Sequence, residues 1–249
     1  MDLTDRLRGQ LVTAAVLTDF DGTLSPIVDD PADAVPGPGA VQVLCDLADR
    51  AAVVGVVSGR PVDVLVRHLP DDRLHLSGLY GLERRDQGAI ADMPESQRWL
   101  APVSAAAADL EAAVPAGVTV EVKRLSLTVH YRRVPDRAAE VDALAEQVAL
   151  RHGLTARPAR KSVEVHPPET PDKGVVVEDL AMGCDAACFV GDDVGDIPAF
   201  DALDRLADKG LDVVKVGVVD EESAPEVLAR ADVLVEGTDG AIAWLRALL

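Results

Sequence analysis

The sequence predicts an α/β fold: a parallel sheet with helices on both faces, interrupted by an inserted α+β domain. Three observations carry this. Apolar runs at Ala14–Leu17, Ala52–Val57 and Ala186–Val190 have the continuous character of strands buried on both faces. Helix-compatible stretches separate the runs, as crossovers between parallel strands require. Between about 86 and 168 the texture changes to alternating strands that suit an open sheet with one exposed face. The predicted layout is a discontinuous core, 1–85 with 169–249, and an inserted domain, 86–168.

In order along the chain, residues 1–10 suit a short polar helix, and the first strand ends at Asp19. Pro26, Pro31, Pro36 and Pro38 make 25–39 a loop. Val41, Leu44 and Leu47 share one side of a helix over 40–50. The second strand ends at Ser58-Gly59-Arg60-Pro61, with Ser58 as N-cap and Pro61 early in the next helix. Leu74–Tyr80 reads as a strand. In the insert, a helix over 95–113 precedes a hairpin of 118–123 and 126–131. A helix over 136–150 repeats Val141, Leu144 and Val148, and short strands follow at 154–157 and 162–166. Thr170 caps a helix with Pro171 first, and Gly183 ends it. After the strand at 186–190, a helix runs to about Leu206, strands lie at 212–218 and 233–235, and a last helix from Gly240 puts Trp244 and Leu248 on one face.

The 249 residues allow one large or two smaller domains, and 48% apolar content marks a globular chain. A net charge of −19 argues against nucleic-acid binding, which needs a basic face, and leans toward a monomer because acidic faces repel. No apolar run has membrane-spanning length and no charged-then-apolar leader opens the chain. Three cysteines at positions matching no zinc pattern fit a reducing cytoplasm. Against the acidic background, Val118–Lys161 holds nine Lys/Arg and five Asp/Glu, a local +4 (9 − 5). That segment is either a solvated face or a surface that meets an anion.

The polar residues that matter follow the apolar runs. Asp19 and Asp21 point to one side if the strand continues, and Gly22 permits a sharp turn. Taken alone they are a polar strand exit or a carboxylate pair that needs a cation or a shared proton. Ser58 and the Asp192/Asp193/Asp196 cluster end the other two runs, and Lys173 opens a nearby helix. Ligands of parallel α/β sheets bind beyond the carboxyl ends of the strands, so these groups could meet. Carboxylates, a hydroxyl and an ammonium together suit Mg2+ and a phosphoryl group. One carboxylate would then attack phosphorus. Arg60 either helps or is an exposed helix-start arginine.

Asp19-x-Asp21-Gly22-Thr23, Ser58, Lys173 and Gly191-Asp192-Asp193-x-x-Asp196 resemble the four motifs of the haloacid-dehalogenase phosphatase superfamily. Gly78-Leu79-Tyr80-Gly81, Glu121-x-Lys123, His130-Tyr131-Arg132 and Val163-Glu164 are similar to stretches of its trehalose-6-phosphate phosphatases. The resemblance implies a Rossmann-like core with a large C2B-type cap. It implies that Asp19 is the nucleophile and that Asp21 is the acid and then the base. Ser58 and Lys173 would hold the phosphoryl group, and Asp19, Asp21 (through its carbonyl) and Asp192 would hold Mg2+. Asp193 or Asp196 would support the metal or Lys173. Arg60, Glu121, Lys123, Arg132, Arg160 and Glu164 would meet a phosphosugar. Leu82, Gly195 and His166 depart from the common pattern, which bears on the sugar rather than the reaction. A phosphatase for another phosphosugar or pseudo-disaccharide phosphate, and a phospho-accepting signalling module, are the rival expectations.

Overall fold

The three apolar runs form neighbouring strands because each can bury both of its faces only inside a sheet covered by helices. The computed structural model describes residues 2–28, 33–92, 96–159, 161–168, 171–220 and 223–249. The first part of the chain gives α1 (Leu3–Gly9), β1 (Ala14–Thr18), α2 (Ala40–Ala48), β2 (Val53–Val57), α3 (Val62–His68), β3 (His75–Gly78), β4 (Glu83–Asp86) and β5 (Ala89–Asp92). Next come α4 (Leu100–Ala113), β6 (Thr119–Lys123), β7 (Ser126–His130), α5 (Ala138–Arg151), β8 (Thr155–Ala159) and β9 (Ser162–His166). The last part gives α6 (Lys173–Leu180), β10 (Ala186–Gly191), α7 (Ile197–Asp208), β11 (Asp212–Val219), α8 (Pro225–Arg230), β12 (Val233–Glu236) and α9 (Gly237–Ala247). The chain divides into two compact units, Met1–Ala91 with Pro171–Leu249, and Asp92–Thr170.

In the first unit the strand order is β12-β11-β10-β1-β2-β3-β4-β5. The pairs from β12 through β3 are parallel, and β4 joins β3 antiparallel. Alternation divides β1 between two cores. Ala14 and Val16 pack with Leu7, Leu44 and Leu245 on one face, while Ala15 and Leu17 pack with Val177, Phe200 and Leu203 on the other. Each large apolar side chain buried this way contributes roughly 1.5–3 kcal/mol. The chain leaves β1 toward β2 on one side and returns through β10 on the other. The carboxyl ends of β1 and β10 are therefore a topological switch point, where open α/β sheets place ligands.

Several local expectations change. The hairpin β4–β5 extends the core sheet, so the inserted unit starts at Asp92 rather than 86. Gln87 and Gly88 both have positive φ (47° and 80°), as a two-residue hairpin turn requires. Asp172 caps α6, its side chain accepting from Val175 N at 3.0 Å, in the place expected of Thr170, which lies outside the described residues. Ser58 caps no helix, because α3 begins only at Val62; its Oγ accepts from Arg60 N at 3.1 Å. Helix α8 is not anticipated by the sequence pattern, although Pro225 at its first position is a helix-start signal.

The inserted unit is an antiparallel sheet of order β6-β7-β9-β8. Leu127, Val129, Val163 and Val165 face Val103, Leu110, Val141 and Val148 of α4 and α5. The intervening residues Ser126, Thr128, Ser162, Glu164 and His166 point to the opposite face and are also buried. Among the described residues, no helix is long and apolar enough to cross a membrane.

Candidate active site

Asp19 follows β1 directly, and its N–H donates to Val190 O of β10 at 2.8 Å. This ties the start of the loop to the switch point. Gly22 then turns with φ +81°, and a Cβ there would lie 2.1 Å from Asp192 Oδ2. Glycine is needed on both counts, for the left-handed backbone and for the close approach of the two loops. Thr23 Oγ1 donates to Asp192 Oδ1 at 3.3 Å and holds that carboxylate from the same loop.

Asp19, Asp192 and Asp196 each offer a carboxylate oxygen, and the three oxygens lie within 4.8 Å of one another. Their neighbours distinguish them. Asp196 Oδ1 accepts from Lys173 Nζ at 2.6 Å, and Oδ2 accepts from the backbone N–H groups of Asp192 (2.8 Å) and Asp193 (3.2 Å). Asp196 is thus committed to holding Lys173 and the loop. Asp19 Oδ1 lies 2.8 Å from Lys173 Nζ, close enough for an ion pair but without hydrogen-bond alignment, and this buried oxygen accepts no hydrogen bond. The carboxylates of Asp21 and Asp193 lie outside this cluster: Asp193 Oδ1 accepts from Gly195 N at 2.8 Å, and Asp21 faces Arg60.

The cluster is short of positive charge. Burial pushes the Asp19 carboxyl well above its ordinary value, Asp196 and Asp193 add to the rise, and Lys173 opposes it. Burial likewise raises Asp192, with repulsion from Asp193, Asp196 and Asp19. Burial would lower Lys173, but Asp19 and Asp196 outweigh it and hold the ammonium charged. One ammonium among several buried carboxylates leaves a deficit that a divalent cation would offset. The orphaned Asp19 oxygen and the all-oxygen donor set fit such an ion.

Ser58 is buried at the end of β2, its N–H donating to Ser77 O at 2.9 Å. Arg60, expected to meet substrate, instead grips Asp21 with both arms: Nε to Oδ2 at 2.7 Å and Nη2 to Oδ1 at 2.8 Å. Its guanidinium carbon lies 5.4 Å from the centre of the Phe20 ring. Tyr80 belongs to the Gly78-Leu79-Tyr80-Gly81 stretch, whose sequence alone assigns it no role. Leu79 and Tyr80 hold positive φ (49° and 58°), pinned by Leu79 N–H to Arg60 O and Tyr80 N–H to Ser58 O, both 3.0 Å. This brings the Tyr80 ring within 5.9 Å of Lys173 Nζ.

On the inserted unit, three of the expected residues share one sheet face. Lys123 Nζ stands 3.7 Å from Glu121 Oε2 and 3.8 Å from Glu164 Oε1. His130 Nε2 is 2.9 Å from Glu121 Oε2, and Arg157 Nη2 reaches Glu164 Oε2 at 3.3 Å. Arg132 is half-buried in the turn after β7, and Arg160 lies outside the described residues. Thr128 was missed: the register places it between Glu121 and Glu164, a relation visible only once the strands pair.

A doubly wound core, acidic loops after β1 and β10, and an α+β insertion define the haloacid-dehalogenase class of fold. Within that class, the family model described as trehalose-phosphatase matches residues 17–231. The chain belongs to the trehalose-phosphatase family. A trehalose-phosphate phosphatase of Mycolicibacterium paratuberculosis is 36% identical over 201 residues, covering 76% of this chain and 51% of that protein. The chain thus spans about half the length of the curated relative it matches. The C-terminal domain of Candida albicans trehalose-6-phosphate phosphatase superposes with a TM-score of 0.80 at 23% identity, covering 99% of this chain and 94% of that one. A trehalose-6-phosphate phosphatase related protein gives 0.77 at 23%, covering 93% and 95%. At that identity the two structures bear on the fold alone.

Proposed function

We propose that this chain is a Mg2+-dependent phosphatase that hydrolyses trehalose 6-phosphate to trehalose and phosphate. The observation that carries this is the buried Asp19 carboxylate, with one oxygen orphaned beside Lys173 and within reach of Asp192. Asp19 attacks phosphorus and the P–O bond to the sugar breaks, giving an aspartyl phosphate. Asp21 protonates the departing sugar oxygen, then takes a proton from the water that attacks the phosphorus and frees Asp19. Ser58 and Lys173 hold the phosphoryl oxygens as charge develops on them. Bound between Asp19, the Asp21 carbonyl and Asp192, the cation would neutralise phosphoryl charge; Asp196 and Asp193 position Lys173 and the loop.

The family match and the 36% identical relative, whose name states trehalose-phosphate, support this substrate. Glu121, Lys123, Arg132, Arg160 and Glu164 supply the kinds of donors and acceptors that sugar hydroxyls need. The net charge of −19 supports a monomer, because strongly acidic faces repel. Three unpaired thiols suit a reducing cytoplasm.

The test is phosphate release with Mg2+ from a panel of phosphosugars. Trehalose 6-phosphate should exceed glucose 6-phosphate in kcat/KM by about 100-fold or more, as expected where buried polar groups would be left unpaired by the smaller sugar. Equal turnover of the two would overturn the disaccharide assignment.

A further inference from the structure

On the sheet face of the inserted unit that points away from α4 and α5, two buried polar atoms have no hydrogen-bond partner: His166 Nε2 and Thr128 Oγ1. His166 is 8% exposed and Thr128 3%. Neither belongs to the substrate residues assigned above. Such atoms are rare in folded proteins, because a buried acceptor without a donor is destabilising unless a ligand or water supplies one.

The role of His166 follows from its other nitrogen. Nδ1 lies 2.9 Å from Pro167 O. A carbonyl oxygen can only accept, so Nδ1 must carry the proton. Burial, reinforced by Arg157, keeps the ring pKa below the ordinary histidine value and the ring neutral. Nε2 is therefore an acceptor with a free lone pair. A lysine or arginine here would offer only donors.

The register gives this atom its company. Thr128 is opposite both Glu121 and Glu164, and Leu127 is opposite Val165, so His166 follows one pair further along the same face. Lys123 completes the patch, with gaps of 3.7 and 3.8 Å to the two glutamates that are too long for hydrogen bonds.

We propose that His166 Nε2 accepts a hydrogen bond from a hydroxyl of the bound sugar and so selects a ligand that donates at that point. The proposal rests on the phosphosugar reading above. It makes His166 a specificity residue rather than a member of the phosphoryl-transfer machinery.

The experiment compares wild type, His166→Gln and His166→Phe on trehalose 6-phosphate and its monodeoxy and monofluoro analogues, with melting curves to verify folding. Fluorine cannot donate. In wild type, one ring position should lose about tenfold in kcat/KM, and equally for the deoxy and fluoro compounds. In His166→Phe that difference should shrink to within about twofold, and His166→Gln, whose amide oxygen can accept, should keep part of it. The inference is overturned if no position depends on residue 166. It is also overturned if the fluoro analogue matches the hydroxyl, which would make the hydroxyl an acceptor. Absence of turnover on trehalose 6-phosphate would sink the phosphosugar assignment separately. The same comparison then runs on whichever panel sugar is hydrolysed, and the proposal falls if residue 166 alters none of its analogues.

Discussion

Replacing Gly22 with alanine tests whether the two acidic loops must approach as closely as the structure places them. Two costs arise. The backbone at φ +81° is left-handed, which costs a residue bearing Cβ about 1–2 kcal/mol. The new Cβ would also stand 2.1 Å from Asp192 Oδ2 and 2.3 Å from its Cγ. Contact at ordinary van der Waals distance requires the carboxylate to retreat by about 1.3 Å or more. Asp192 cannot retreat freely, because its backbone is tied to Asp196 and its Oδ1 to Thr23. For a chain of this size the backbone cost lowers Tm by roughly 2–4 °C per kcal/mol, hence by a few degrees. A 1 Å displacement in a catalytic constellation costs about 100-fold in rate. The expected result is a folded protein melting slightly early, releasing phosphate from trehalose 6-phosphate about 100-fold more slowly and needing more Mg2+ for half-saturation. Activity within threefold of wild type at the same Mg2+ would refute the reasoning, since the carboxylate would then tolerate the displacement.

Three further expectations follow from the same geometry. Asp19→Asn removes the attacking oxygen while preserving shape, so phosphate release should be lost with an unchanged circular dichroism spectrum; near-normal turnover would displace Asp19 as nucleophile. Excess chelator should abolish turnover and added Mg2+ restore it, whereas full activity in chelator would contradict the charge deficit around Asp19 and Asp192. Burial keeps the folded-state pKa of His166 below 6.5, so folding excludes a proton. Its contribution to stability is complete above pH 6.5 and is lost as pH falls through the lowered folded value. His166→Gln should therefore flatten part of the acid-side fall in Tm, and an unchanged pH profile would show that the ring does not bind its proton less tightly in the folded state.

The parallel core was legible because double burial leaves an unambiguous mark: Val16 and Leu17 must both be apolar when each faces a different core. The acidic cluster was legible because strand ends of such sheets converge, which let Asp19, Lys173 and Asp192 be combined from distant positions. The start of the insert was hidden by Gln87-Gly88, a weaker turn signal than Asn-Gly, which left the hairpin of β4 and β5 unseen. Division of labour among the aspartates was legible only in part. The resemblance set Asp192 apart as a metal holder but left Asp193 and Asp196 interchangeable, and only hydrogen-bond directions show that Asp196 is occupied by Lys173 and two N–H groups. Thr128 and His166 look like ordinary members of alternating strands until the register sets Thr128 opposite Glu121 and Glu164, with His166 two residues on from Glu164 along the same face.

Arg60 is where the sequence expectation and the geometry lead to different experiments. As a substrate group it would contribute binding; gripping Asp21 through two hydrogen bonds, it acts on the proposed acid instead. The Arg60 side chain is only 10% exposed while that of Asp21 is 34% exposed, so the arginine is the fixed partner and the carboxylate the adjustable one. The fork fixes the direction in which Asp21 presents its oxygens, on which both proposed proton transfers depend. Arg60→Met keeps an unbranched stem against Phe20 but removes both donors. If Arg60 positions Asp21, kcat should fall roughly tenfold while KM stays within about twofold, because the interaction acts on the chemical step. Arg60→Lys should recover little, since one ammonium cannot reproduce two parallel bonds. A raised KM with kcat intact would return Arg60 to the substrate and leave Asp21 to be oriented by its own loop.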